Sequence, residues 1–592
     1  MALYQLTSMP SVTFKRLPPT SRFVDFGSSR NFAVPSGRLV FQCMAATRTS
    51  DENITRRSAN YQPSIWPFDF VQSLGSNYRR EPFAKRVEKL KKEVRLMLHT
   101  AVDSVHQLEL IDDLQRLGVS YHFENEIRRI LNAIYNNNID NYKQKQESLY
   151  AVALEFRLLR QHGYDVPTEI FNNFRDKKGN FVKDCKGILS LYEAAFLLKD
   201  EENVIFHDVR GFTTSYLKEY VRDNKDQYLA TLVSHALELP LNWRMLRLEA
   251  RWFIDVYEAR PDMKNILLEL AKLDYNMVQA THQDDLKYSS RWWKNTGLGE
   301  KLSFARDRLM ENFLWTVGVI FKPEFGYCRR MSTKVNALIT TIDDVYDVYG
   351  TLDELELFTD VVERWDIKAM EQLPQYMKIC FLALYNAINE MGFDALKEQG
   401  VNIIPYLTKA WADICKCYLL EAKWYHSEYI PFLAEYIDNA WISISAPVIL
   451  VHAYFFVTNP ITNEALESLE EYSNIIRWSA IILRLADDLG TSSDELKRGD
   501  VAKSIQCYMH ETGASEEDAR EHIQEMITEI WMKMNRERLE NPHLSNTTFI
   551  EIAMNLARMA QCMYQHGDGH GIQDRETKDR VLSLLVNPIA HM

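Results

Sequence analysis

Apolar residues recur at three- and four-residue spacing from about residue 56 to the C-terminus. Leu149–Gly163 (LYAVALEFRLLRQHG) keeps that spacing and stops at a glycine, and Leu267–Leu286 and Tyr376–Gly392 behave alike. Sustained strand alternation with hairpin turns is scarce, and no repeat of fixed spacing stands out. The pattern predicts an all-α protein. The proline and charges of Tyr257–Asn265 punctuate two helical stretches and divide the chain into 56–262 and 263–592. The longest apolar run, Trp441–Val457, is interrupted by Ser443, Ser445, Pro447 and His452. It falls short of the ~20 residues a membrane span needs, so none is expected.

Residues 1–55 stand apart. The first fifty hold six Lys or Arg and seven Ser against a single acid, Asp25, the composition of an organelle transit peptide. A secretory signal is not expected, because no long apolar stretch follows the start. The whole chain has 592 residues and a net charge of -13, and its basic residues are mixed with acids, which sets nucleic acid aside as a partner. Eight scattered cysteines form no CxxC pair, so they read as free thiols in a reducing compartment, without zinc.

The chemistry concentrates where acids interrupt apolar helices. In NALITTIDDVYDVYG (Asn336–Gly350), take Val335 as zero at 100° per residue. Leu338, Ile339, Ile342, Val345, Tyr346 and Tyr349 then cluster between about 280° and 40°. Asp343 falls near ~80°, Asn336 near ~100° and Asp347 near ~120°, on one edge of that face, while Asp344 falls near ~180°, away from it. Two carboxylates a turn apart beside an oily surface suit Mg²⁺, which takes one or two carboxylates and completes its shell with water and phosphate oxygens. With 82 acids in the chain the pattern also arises by chance, and Glu517, Asp518 and Glu521 repeat it in a charged segment that reads as a solvated helix start.

A second arc lies in LRLADDLGTSSDELKRGD (Leu483–Asp500). With Arg484 at zero, Asp487, Thr491 and Glu495 fall within about 80° of one another, one oxygen ligand per turn beside a phosphate-pairing arginine. GTSSDE also resembles a helix start. Arg306, Arg308 and Lys503 are further cationic candidates for gripping a diphosphate.

The pair DDVYD and DDLGTSSDE resembles the two metal motifs of class I plant terpene synthases. RRSANYQPSIW (Arg56–Trp66) is similar to the tandem-arginine motif of the monoterpene synthases in that family. RLEARWFIDVY, SRWWKNTGLGEKLSFARDRL and YGTLDELELFTDVVERWD extend the likeness from about Arg56 to the C-terminus. The resemblance implies an N-terminal helical barrel without its own catalysis and a C-terminal helical bundle holding three Mg²⁺, for which Mn²⁺ can substitute. It implies that Asp343 and Asp347 bind metal on one wall and Asp487, Thr491 and Glu495 on the other. Arg306, Arg484 and Lys503 would grip the diphosphate of geranyl diphosphate, Asp344 would act by ion pairing, and Arg56 and Arg57 would let the N-terminal strand cap the site.

By the same match, Trp315 and Tyr418 would face the cation. ISISAP (Ile442–Pro447) would break its helix and turn carbonyls inward. YQHGDGHG (Tyr564–Gly571) would form a closing loop in which Tyr564, His570 or the departing diphosphate takes the last proton. Asn336, on the metal edge of the wheel, is placed to position a water. The expected product is a cyclic monoterpene of the limonene, terpinene, pinene, sabinene or terpineol type, reached through linalyl and terpinyl cations. An acyclic product (myrcene, ocimene or linalool) is the alternative. A chain-elongating prenyltransferase would carry a second DDxxD instead of Thr491 and Glu495. A class II cyclase would need DxDD, which is absent, and a non-catalytic helical scaffold would have no need of paired metal arcs. A plastid stroma location is implied, as monomer or homodimer.

Overall fold

The computed structural model describes residues 56–101, 103–138, 148–175, 181, 184–223, 226–498, 501–540, 547–571 and 574–590. The transit-peptide expectation for 1–55 and the side chain of Glu495 lie outside the described residues. The chain is all-α in two helical domains; among the described residues there is no strand, only an isolated bridge between Arg175 and Phe181.

Local chemistry sets the helix limits. The helix Leu149–Gln161 starts where Ser148 accepts the N–H of Ala151, and it ends just before Gly163 at φ 84°. Both of its flanks are covered, so even Glu155, Arg157 and Arg160 are buried. Arg160 donates to the Val166 carbonyl at 3.0 Å and to Glu202 at 2.8 Å, which offsets its burial. Helix Leu246–Glu258 ends at the predicted break, and α1 (Asn265–Thr296) begins after it. Gly297 closes α1 in the left-handed region at φ 67°.

The helices that build the site then follow: α2 (Leu309–Val319), α3 (Gly326–Asp344), α4 (Leu352–Arg364), α5 (Gln375–Gln399), α6 (Ile404–Ser427), α7 (Leu433–Ser443), α8 (Ala446–Val457) and α9 (Asn474–Arg498). The expected stop at Gly392 is not one: α5 runs on to Gly400, φ 72°. A side chain at Gly392 would overlap Ile404, so this glycine permits close contact between α5 and the start of α6. The segment Leu433–Val457 is long and apolar enough to cross a membrane by composition, with mean hydropathy 1.8, but 78% of its apolar window is buried inside the protein. It is also two helices: Ser445 sits in the left-handed region at φ 71°, and Pro447 opens α8. The GTSSDE stretch is no helix start, since α9 passes through it to Arg498. All seven described cysteines are free.

Candidate active site

One cavity of about 670 Å³ gathers nearly every residue singled out in the sequence. Asp343 and Asp347 line one side. Arg484, Asp487 and Thr491 line another, and Lys503 stands beside them. Arg306, Asn336, Trp315, Tyr418, Tyr564 and His570 complete the expected set. Asp344 does not line it.

The aspartate turn differs from the helical wheel in two ways. First, α3 ends at Asp344 and Val345–Tyr349 form a π-helical turn, so the helix widens just where Asp347 projects into the cavity. Second, Asp344 is fully buried, where the wheel puts it on the side away from the apolar face. The wheel sees only its own helix. Here the segment before α2 folds over that side, and Asp344 accepts the backbone N–H of Arg306 at 2.7 Å and its Nε–H at 3.1 Å. Burial pushes the Asp344 carboxyl up to about 6, against the pull of Arg306 and with the help of Asp343. Asp344 thus forms an ion pair with Arg306 and does not face the cavity.

Arg306 is the hub. It also donates to Asp343, and the Tyr61 ring lies 5.1 Å from its guanidinium. Burial works against its charge, yet Asp344 and Asp343 outweigh burial and hold it firmly protonated. Arg484 repeats the theme on α9, donating to Asp487 and, at 2.7 Å, to Asp488. Asp488 is itself buried and accepts the Tyr436 hydroxyl. Arg308 does something else. It donates to the carbonyls of Gln62 and Gly571, each at 3.1 Å, and so ties the N-terminal strand to the C-terminal loop.

The tandem arginines sit behind the aspartate turn. Arg56 makes a two-pronged pair with Glu354 at 2.8 and 2.9 Å and donates to the Tyr349 carbonyl at 3.0 Å. Arg57 donates to the Asp347 carbonyl at 3.1 Å and lies over the Tyr425 ring. The strand they anchor contributes Ala59–Pro63 and Ile65 to the cavity wall. In the loop that Arg308 ties to this segment, His570 faces Asn312 Oδ1 at 3.0 Å, which makes its Nε2 the donor. Burial, with Arg306 and Arg308 nearby, drops the His570 ring to about 3, so it stays neutral. Burial and Asp487 keep the Tyr564 phenol protonated.

The donors are carboxylate and hydroxyl oxygens, a set that fits a hard divalent cation. Among the described residues no three His, Cys, Asp or Glu side chains converge on one point. In this structure Arg306 and Arg484 provide the opposite charge for Asp343 and Asp487.

Sequence reasoning missed several cavity residues. Asn312, Thr340 and Asp568 line the cavity, as do Tyr61 and Glu421. Glu421 carries the plainest overlooked signal, an acid three residues after Tyr418 on the same helix face.

The metal-binding domain of the terpene synthase family matches residues 294–533, and its N-terminal domain matches 65–237. The chain is 63% identical to a chloroplastic myrcene synthase of Quercus ilex and to a (-)-alpha-terpineol synthase of Vitis vinifera, over 100% of this chain and 99% of each relative. Its structure is similar to limonene synthase with 2-fluorolinalyl diphosphate (TM-score 0.88, 46% identity, 90% of this chain and 100% of that one). It is also similar to grey poplar isoprene synthase in complex with three Mg²⁺ ions and dimethylallyl-S-thiolodiphosphate (TM-score 0.81, 48% identity, 89% and 99%). With acid-bearing helices around one cavity and this identity along its whole length, the chain belongs to the terpene synthase family.

Proposed function

We propose that the chain is a plastid monoterpene synthase that ionises geranyl diphosphate and converts the ten-carbon cation to a cyclic monoterpene. The observation that carries this reading is one cavity lined by Asp343 of α3 paired with Arg306 from the segment before α2, by Asp487 paired with Arg484 on α9, and by the rings of Trp315, Tyr418 and Tyr564. Catalysis is assigned to 263–592, framed by 56–262. Asp343 and Asp347, with Asp487, Thr491 and Glu495, would hold three Mg²⁺ or, in substitution, Mn²⁺. When bound, these ions supply positive charge against the departing diphosphate.

Arg306, Arg484 and Lys503 add fixed positive charge around the same oxygens, in a site that Arg56, Arg57 and the strand 59–65 close against water. Trp315 and Tyr418 offer ring faces to the cation, a contact worth ~2 kcal/mol when desolvated. Tyr564 and neutral His570 stand at the rim as candidates for the last proton, alongside diphosphate itself. Asn336 Nδ2 donates to Thr316 at 3.4 Å, while its buried Oδ1 has no partner among the described residues. That free acceptor supports a role in holding water, so Asn336→Ile is expected to lower the ratio of hydroxylated to hydrocarbon products; an unchanged ratio would remove the role.

A second reading, an acyclic product, is favoured by identity to the myrcene synthase equal to that with the terpineol synthase. Residues 56–592 incubated with geranyl diphosphate, with and without Mg²⁺, and followed by gas chromatography and mass spectrometry separate the two. A Mg²⁺-dependent cyclic volatile is expected. An acyclic one alone selects the second reading. No volatile, with farnesyl diphosphate also inert, overturns both.

A further inference from the structure

We propose that Glu421 is the counter-charge for the carbocation in this cavity. The inference rests on the ionisation chemistry proposed above. Glu421 lines the cavity, is 6% exposed and sits one turn along α6 from Tyr418. Its Oε1 accepts the Ser443 hydroxyl at 2.5 Å and the Asn439 amide at 3.0 Å, both from α7. Its Oε2 takes no hydrogen bond among the described residues, and no Lys, Arg or His side chain there stands within ion-pairing distance. Asp343 and Asp487, by contrast, each face an arginine across the same cavity.

A buried carboxyl without a cation is an expensive feature. Bracing the break between α7 and α8 does not account for it, because the side-chain oxygen of a glutamine would accept the same two hydrogen bonds. A carboxylate does what a glutamine cannot: it lowers the energy of positive charge in a low-dielectric space. Tyr418 marks the path, since its phenol is held protonated by burial with Asp343, Asp347 and Glu421 all contributing. The cavity thus carries Asp343 and Asp487 paired with arginines, Asp568 turned to the backbone N–H groups of His570 and Gly571, and Glu421 beside the aromatic ring that would face the cation.

The test is Glu421→Gln beside Ser443→Ala. Glu421→Gln keeps the shape and is expected to lower kcat roughly tenfold with KM within about twofold, and to shift products toward those captured early. Ser443→Ala removes the brace but keeps the charge, and is expected to do clearly less. Unchanged kcat and product ratios in Glu421→Gln, or equal effects of the two substitutions, would overturn the proposal. A binding readout needs no turnover. With Mg²⁺ and inorganic diphosphate present, the wild-type protein is expected to prefer a protonated aza-analogue of the terpinyl cation over its neutral carbon isostere. Glu421→Gln is expected to lose about tenfold of that preference, and a preference left intact overturns the idea. If Glu421→Gln does not fold, Glu421→Asp replaces it, with a drop of about threefold expected from withdrawing the charge by one methylene and no drop overturning the proposal. A wild-type protein that releases no diphosphate from geranyl diphosphate would retire the proposed function, while the binding comparison would still decide the role of Glu421.

Discussion

The same pattern of acids occurs twice with opposite fates. Asp343, Asp344 and Asp347 and the triplet Glu517, Asp518 and Glu521 share one spacing. The first closes a helix whose neighbours Ile342, Val345 and Tyr346 are buried, and it meets Arg306 on one side and a cavity on the other. The second opens the helix Glu516–Glu540 on the surface, where all three acids are exposed and Ser515 bonds to Asp518 at 2.7 Å as part of an ordinary helix start. Spacing puts carboxylates on one edge of a helix. What they face decides whether they have work to do.

The largest break in that comparison is expected from Asp343→Ala, which should cost at least ~100-fold in turnover while the far-ultraviolet circular dichroism stays helical. A fully active variant would leave the two triplets equivalent. Chelation by EDTA should abolish activity to a similar degree, with recovery on adding Mg²⁺. Next comes Arg56→Ala, which removes the cationic partner of Glu354 and leaves it the Tyr376 hydroxyl and the Thr351 N–H. It is expected to lower kcat/KM by roughly tenfold and to raise the share of water-quenched products; an unchanged product profile would separate the strand from the aspartate turn it touches.

Buried acids away from the cavity sharpen the contrast through pH. Burial pushes Glu193 up to about 7, against the backbone N–H of Leu241 and nearby Arg157. Between the ordinary glutamate range and pH 7 the unfolded chain is ionised there while the folded one is not, so stability falls as pH rises through that window. Glu193→Gln should therefore raise the melting temperature by roughly 2 °C or more at pH 8 relative to the wild type, and hardly at all at pH 4.5. An equal gain at both would deny the titration. The smallest effect belongs to Glu517→Ala, expected to leave activity within about twofold, as for an isolated surface charge.

The fold class and the acidic edges of the cavity were legible because both depend on periodicity, whereas Trp315, Tyr418, Tyr564, His570, Arg56 and Arg57 came from the family resemblance alone. Helical spacing marked α1 and α5, and one oxygen per turn marked α9. Asp344 shows where periodicity stops: its burial comes from the segment at Arg306, thirty-eight residues earlier. Gly392 was misread because a glycine that ends a helix and one that lets two helices touch look alike until the neighbour, Ile404, is in place. Tyr61 and Asn312 carry no local pattern of their own and become site residues only when separate elements close one cavity.

The contacts of Arg56 also carry a message about time. The first described residue docks on Tyr349, Glu354 and Tyr376, partners 293 to 320 residues downstream. On a chain made from its N-terminus, this segment emerges early, before every described helix, and can seat only after most of those helices have been made. It is the last wall to go up and, held by a few polar contacts, the first to come down, so amide exchange across 56–66 should outpace that of α3 and α9. A fusion partner attached directly at Arg56 would stand at that doorway. Its length and charge would then be part of the enzyme's chemistry.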